Sequence, residues 1–292
     1  MVPYNPKQWD RILFSARGTV LPRTMKRVAV YGGLTAAVWA WNVYGMHLPA
    51  IDPLGHSLLG VALGLLIVFR TNTSYDRYWE GRKLWGQMVT AARNLIRGAA
   101  SAGVDVAELV RLAAAYTYTL KQHLRGSRDF SEIKPLVSEP AYANVTAGSN
   151  PPSVMAFYLS AWIQERLARK EIDNSLSRGL EGCVCTMVEN EGGCERIGKT
   201  PIPFAYAVHL KQMLTVYLFT LPFVLVPKMD AIAILMVAGI TFGLVGIEEA
   251  GVEIENPFGT SPNDLPMEEF CDTITRDIGE LARLSEREAK AA

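Results

Sequence analysis

The sequence predicts an all-α membrane protein with four spanning helices per chain and a large helical part outside the bilayer. Three observations carry this. Apolar residues make up 49% of the chain and gather into long uncharged runs, with the charges collected between them. No segment alternates like a half-buried strand, whereas several repeat every three and four residues like a helix face. Lys and Arg are shared unevenly among the segments that join the runs.

The first segment, residues 1–27, is an arm carrying Lys7, Arg11, Arg17, Arg23, Lys26 and Arg27. Pro3, Pro6 and Trp9 followed by Ile12, Leu13 and Phe14 predict an interfacial or packed helix, since the arm is too charged and too long for a secretory signal. Residues 28–51 and 53–69 then contain no Asp, Glu, Lys or Arg, although His56 lies in the second run. A spanning helix needs about 20 mostly apolar residues, which the first run exceeds. Two further uncharged runs, 212–227 and 231–247, complete the set; residues 201–210 before the third add only His209. The shorter runs reach across the bilayer by tilt and flanking residues.

The loop at 45–52 has no Lys or Arg, and the turn at 227–230 has Lys228 alone. Arg70, Arg77, Arg82, Lys83, Arg93 and Arg97 follow the second run. Positive charge collects on the cytoplasmic side, so both termini and the middle segment are expected there. The middle segment, 81–199, reads as helices at 84–101, 104–123, 152–168 and 172–190, although Gly179 and Gly182 weaken the last. Residues 126–153 are its most loop-like part. The division predicted is an arm at 1–27, two spans within 28–80, a cytoplasmic region at 81–199, two spans within 200–250, and a terminal segment at 251–292 ending in an amphipathic helix.

Several function classes fall away. Lys plus Arg and Asp plus Glu are each 29, so no basic excess points to nucleic acid. Cys183 and Cys185 lack the spacing of a zinc ribbon and have no neighbouring His; with Cys194 and Cys271 they read as free thiols. No phosphate loop or catalytic triad spacing is present, so no enzyme, metal or cofactor is expected. His56 and His209 are ionisable groups inside spans, read as hydrogen-bonded structural residues. Glu248, Glu249, Glu253 and Glu255, with Asp264 beyond, could hold a hard cation. Pairing with the arginines of 70–82 is the preferred reading, because buried carboxylates need partners.

Within the second run, Val61, Leu65 and Phe69 recur every fourth residue and make a narrow apolar stripe that ends at Arg70. Gly60 and Gly64 form a small-xxx-small pair that permits close helix approach. Periodicity alone fits a stripe facing lipid, core or pore.

The strings SYDRYWEGRKLWGQ, GCERIGKTPIPFAY and ENPFGTSPNDLP resemble the bacterial branch of the bestrophin channels, and the likeness runs from Trp9 to the terminal helix. The resemblance implies a homopentamer in the bacterial inner membrane whose partners are itself, the lipid bilayer and permeant monovalent ions. The second helix would line a central pore, with Val61, Leu65 and Phe69 as three apolar rings of its neck. A lower aperture would fall at Ser175, between Ile172 and Leu176, where the family carries a branched apolar residue. Gly60, Gly64, Arg70, Arg77, Glu195, Asn256, Pro257 and Phe258 would support the gate. Animal members bind calcium through an acidic run after the Pro-Phe-Gly turn. Here that run reads Thr260, Ser261, Pro262, Asn263 and Asp264, so no clasp of that type is expected. The expected activity is passive conduction through a neck that dewets when narrow, with cations favoured and chloride possible. A secondary transporter or an anion-selective channel of the same type is the alternative.

Overall fold

The computed structural model describes residues 5, 7–15 and 18–291, with side chains described up to residue 288. Among the described residues there are ten α-helices, one 3-10 turn and no strand. In chain order the helices are α1 (Trp9–Leu13), α2 (Leu21–Tyr44), α3 (Leu54–Ser101), α4 (Ala107–Leu124), α5 (Glu139–Ala147), α6 (Pro151–Ala168), α7 (Asn174–Lys199), α8 (Phe204–Met229), α9 (Ile232–Glu253) and α10 (Met267–Ala291). The chain divides into two compact units. The first holds the chain up to Tyr78, Pro201–Pro257 and Ser261–Asn263; the second holds Trp79–Thr200, Phe258–Thr260 and Asp264 onward.

In the first unit, α3, α8 and α9 are long and apolar enough to cross a membrane. Length and composition therefore qualify three helices where the sequence suggested four. The reason lies in α2. Its first turns carry Arg23, Lys26 and Arg27, its remainder is diluted by Gly32, Gly33, Thr35 and Asn42, and it stops at Tyr44. The residues at 46–51 that lengthened the first run are outside any helix. α2 packs along α9 and α8, and α8 packs along α9. Leu63 and Ile67 of α3 join Leu210, Leu214, Leu218 and Leu221 of α8 and Val237 and Val245 of α9 in one apolar core. These positions repeat at three and four residues, the signature of a single buried helix face.

The span at 53–69 and the helix at 84–101 are parts of one 48-residue helix, α3. The intervening string contains no proline and a single glycine, Gly81, so nothing breaks the hydrogen-bond ladder.

In the second unit, α4 packs on α6 and α10, and α6 on α5 and α7. Leu95, Ile96, Leu109, Tyr116, Leu159, Ile163 and Met187 are fully buried there. The stretch at 126–153 is less loop-like than its composition suggests, because it contains α5. Proline in the first turn starts that helix, and Ala141 and Val145 bury one face of it. α7 runs on to Lys199 despite its glycines. Asp173 caps it, accepting a hydrogen bond from the Leu176 backbone N–H at 2.7 Å.

Candidate functional site

α3 presents two opposed apolar faces. Leu63 and Ile67 are 0% and 2% exposed, whereas Val61, Leu65 and Phe69 are 74%, 55% and 55% exposed. The four-residue stripe is thus outside the unit's core, and large apolar side chains stand bare along it. Val68 shares that exposure and was missed by the four-residue count. The two glycines behind the stripe differ. A Cβ on Gly60 would lie 3.0 Å from the Tyr217 hydroxyl, so α8 approaches closely there; Gly64 faces open space. They do not form one packing seam. His56, one turn before Gly60, meets the Thr220 hydroxyl through Nε2 at 2.9 Å. Thr220 donates to Val216 O at 2.7 Å, so it accepts from the His56 ring N–H.

Below the stripe lies a belt of ion pairs. Arg70 is 2% exposed; its Nη1 donates to Glu248 O at 3.1 Å and its Nη2 to Glu255 Oε2 at 3.0 Å. Arg77 Nε donates to Glu255 O at 3.0 Å, and the Ile202 N–H reaches Glu255 Oε1 at 3.2 Å. Glu248 is fully buried; Lys211 Nζ stands 2.9 Å from its Oε1, Arg27 3.6 Å from its Oε2 and Arg70 4.0 Å from its Oε1. Arg27 also pairs with Glu249 at 2.8 Å, and Arg23 with Glu253 at 2.8 Å. Gly251 makes room for this, since a Cβ there would sit 2.9 Å from Arg70 Nη1. The carboxylate cluster is therefore bound up with arginine and lysine. Arg70 supplies part of the pairing as expected, whereas the Arg77 bond goes to the Glu255 backbone carbonyl and Arg82 stacks over Phe270 at 4.8 Å. Arg23, Arg27 and Lys211 were missed as partners. No local motif joins residues so far apart in sequence.

In the second unit Phe258 is fully buried against Gly81, where a Cβ would come within 3.1 Å of its ring. Pro257 is buried and Asn256 exposed. Asp264 is buried, with Oδ2 2.5 Å from where a Gly259 Cβ would stand, so a side chain at 259 would displace the Asp264 carboxylate. Ser175 is exposed in the first turn of α7, Leu176 is half-buried, and Ile172 is buried just before the helix. Of the three, Ser175 alone presents a free side chain. Glu195 is bonded to His123 at 2.6 Å, Asn150 at 3.0 Å and Lys199 at 2.7 Å. Burial opposes its charge, but the bonds from Lys199 and His123 outweigh it and hold the carboxyl below its ordinary value. One turn earlier, buried Glu191 accepts from Tyr116 at 2.7 Å and Ser153 at 2.9 Å. Burial, then the Glu191 charge, pushes the Tyr116 phenol well up. No local pattern signals this pair, whose residues lie 75 positions apart.

The comparisons with known proteins bear on these features. A family model described as "Bacterial/Fungal Bestrophin protein" matches residues 1–280. A voltage-dependent anion channel-forming protein of Nostoc sp. is 39% identical over 291 residues, covering 96% of this chain and 93% of its own. One from Synechocystis sp. is 38% identical over 289 residues, covering 96% and 94%. The crystal structure of a bacterial bestrophin homologue from Klebsiella pneumoniae is similar at a TM-score of 0.82 and 25% identity, covering 88% of this chain and 98% of that one. The expected preference for cations is overturned, because these relatives are anion channel-forming proteins. That preference came with the resemblance and not from the stripe, whose apolar side chains carry no sign; the carboxylates of the belt are engaged by Arg23, Arg27, Arg70 and Lys211.

Proposed function

This chain belongs to the bacterial and fungal bestrophin family, and from that premise we propose a passive anion-selective channel gated by an apolar neck. It is a multi-pass membrane protein and a transport protein without catalysis. The observation that carries the proposal is the bare stripe of Val61, Leu65 and Phe69 opposite the buried Leu63 and Ile67. In lipid such a stripe needs no polar partner. Around a shared axis it makes three apolar rings that give an ion no replacement for its hydration shell. Water leaves such a constriction when it is narrow and returns when it widens.

The stripe closes a pore only with other copies of the chain, and five copies is the family arrangement we adopt. α2 serves as the fourth span, its Arg23 and Arg27 reaching the ion-pair belt at one membrane face. The domain division given by the sequence is retained, with both termini and the middle segment on the cytoplasmic side, where the basic segments gather. Ser175, exposed in the first turn of α7, is our candidate for the lower aperture. Asn256, Pro257, Phe258 and Glu195 are assigned to holding the surrounding turns and helices.

Reconstitution in planar bilayers under a sodium chloride gradient tests the selectivity. The current should reverse close to the chloride equilibrium potential. Reversal near the sodium potential would overturn the proposal.

A further inference from the structure

An apolar neck attracts neither sign of charge, so an anion channel needs cationic or dipolar groups elsewhere on its path. The second unit holds a groove of about 530 Å³ between α3 and α7 with that character. Lys83, Gln87 and Asn94 line it from α3, Gly179 and Gly182 from α7, and no carboxylate is among its lining residues. Lys83, Gln87 and Asn94 are all exposed. The hydroxyls of Thr90 and Thr186, also on the wall, donate back to Gly86 O at 3.1 Å and Gly182 O at 2.9 Å. The donors left for a ligand are therefore one ammonium and two amides, beside the weakly donating Cys183 thiol. Gly179 and Gly182 have open space where a Cβ would stand, so the α7 wall leaves its backbone bare.

Residues 83, 87, 90 and 94 recur on α3 at three- and four-residue spacing and so share one helix face, as 61, 65 and 69 do at a spacing of four. Asp76 and Glu80 are the acids that fall between them at that spacing, and Glu80 is bonded to Arg196 at 2.9 Å. We infer that this groove is a binding station for a small monovalent anion, attracted by the Lys83 ammonium and partly stripped of water by the Gln87 and Asn94 amides. The inference rests on the anion-channel reading and names the residues that give it its sign. One ammonium with two neutral donors binds weakly enough for release, which conduction requires.

The test compares the full-length wild type with Lys83→Glu and Lys83→Arg in planar bilayers under a sodium chloride gradient. Reversing the charge changes it by two units at roughly 8 Å from an ion in a water-filled path, which disfavours chloride about sixfold and favours sodium about as much, so the chloride-to-sodium permeability ratio should fall roughly thirtyfold. Lys83→Arg should keep the wild-type ratio. A Lys83→Glu channel that reverses where the wild type does would overturn the station while leaving the anion channel standing; a wild type reversing at the sodium potential would bring down both. Crystals of the full chain soaked in bromide give a second readout. Anomalous density within hydrogen-bond reach of Lys83 Nζ, lost in Lys83→Glu, supports the station, and a groove without density refutes it.

Discussion

Replacing Arg70 by Met probes the ion-pair belt at its most buried point. The guanidinium is 2% exposed and forks to Glu248 O and the Glu255 carboxylate at 3.1 and 3.0 Å. Met replaces the side chain as far as Nε and removes the charge, leaving the Glu255 carboxylate, 21% exposed, without its cation. Glu248 keeps Lys211 at 2.9 Å and Arg27 at 3.6 Å, so it remains compensated. Breaking one partner out of a buried pair costs about 3–5 kcal/mol, and the retained partners of Glu248 place this change near the lower end. At roughly 2–4 °C per kcal/mol for a chain of this size, the detergent-solubilised protein should unfold about 6–12 °C lower. Adding Glu255→Gln removes the orphaned charge and should recover roughly half of the loss. Arg70→Lys should fall between, because an ammonium cannot make both bonds of the fork. A melting shift below about 2 °C for Arg70→Met would mean a cost under 1 kcal/mol and would refute the buried-pair account.

Other consequences are as specific. Gly60→Leu should push α3 from Tyr217 and cost about 1–3 kcal/mol in thermal unfolding, while Gly64→Leu, facing open space, should cost far less; equal effects would contradict the asymmetry. Asp173→Ala removes the α7 cap and should cost about 0.5–2 kcal/mol, with faster amide exchange at Leu176 as the readout. Glu268, bonded to Arg125, has its carboxyl lowered from 4.5 to about 2. The contribution of that pair is present above the ordinary value and is lost as pH falls from there through about 2, so Glu268→Gln should flatten the acid side of the stability profile. Burial pushes the Cys194 and Cys271 thiols up to about 12. Maleimide at neutral pH should therefore label exposed Cys185 first and leave those two untouched, as peptide mass spectrometry would show.

What the residues disclosed by themselves depended on whether a local pattern encoded it. Val61, Leu65 and Phe69 were legible because four-residue spacing and an uncharged run are both local, and the exposed face they share follows from helix geometry. Phe69 passing into Arg70 marked the start of the belt for the same reason. The partners of Glu248 were not legible, since Arg27 and Lys211 come from two other helices and only the packed unit brings them together. Gly60 and Gly64 read as one motif, yet the position of the Tyr217 ring gives them different neighbours. α5 was hidden because proline, asparagine and glycine give a loop-like composition to a stretch whose Ala141 and Val145 find a core. The expected sign of the permeant ion came from the resemblance alone: no residue in the neck carries charge, so nothing in the stripe could report it.

The most direct measurement is the single-channel current of a variant with Val61, Leu65 and Phe69 all changed to Ala, recorded in asymmetric sodium chloride beside the wild type. Truncating three exposed side chains should widen and wet the constriction, raising conductance or open probability. The reversal potential should stay near that of chloride, because the neck controls opening and not sign. Currents indistinguishable from the wild type would show that the stripe faces lipid or another chain instead of the ion path.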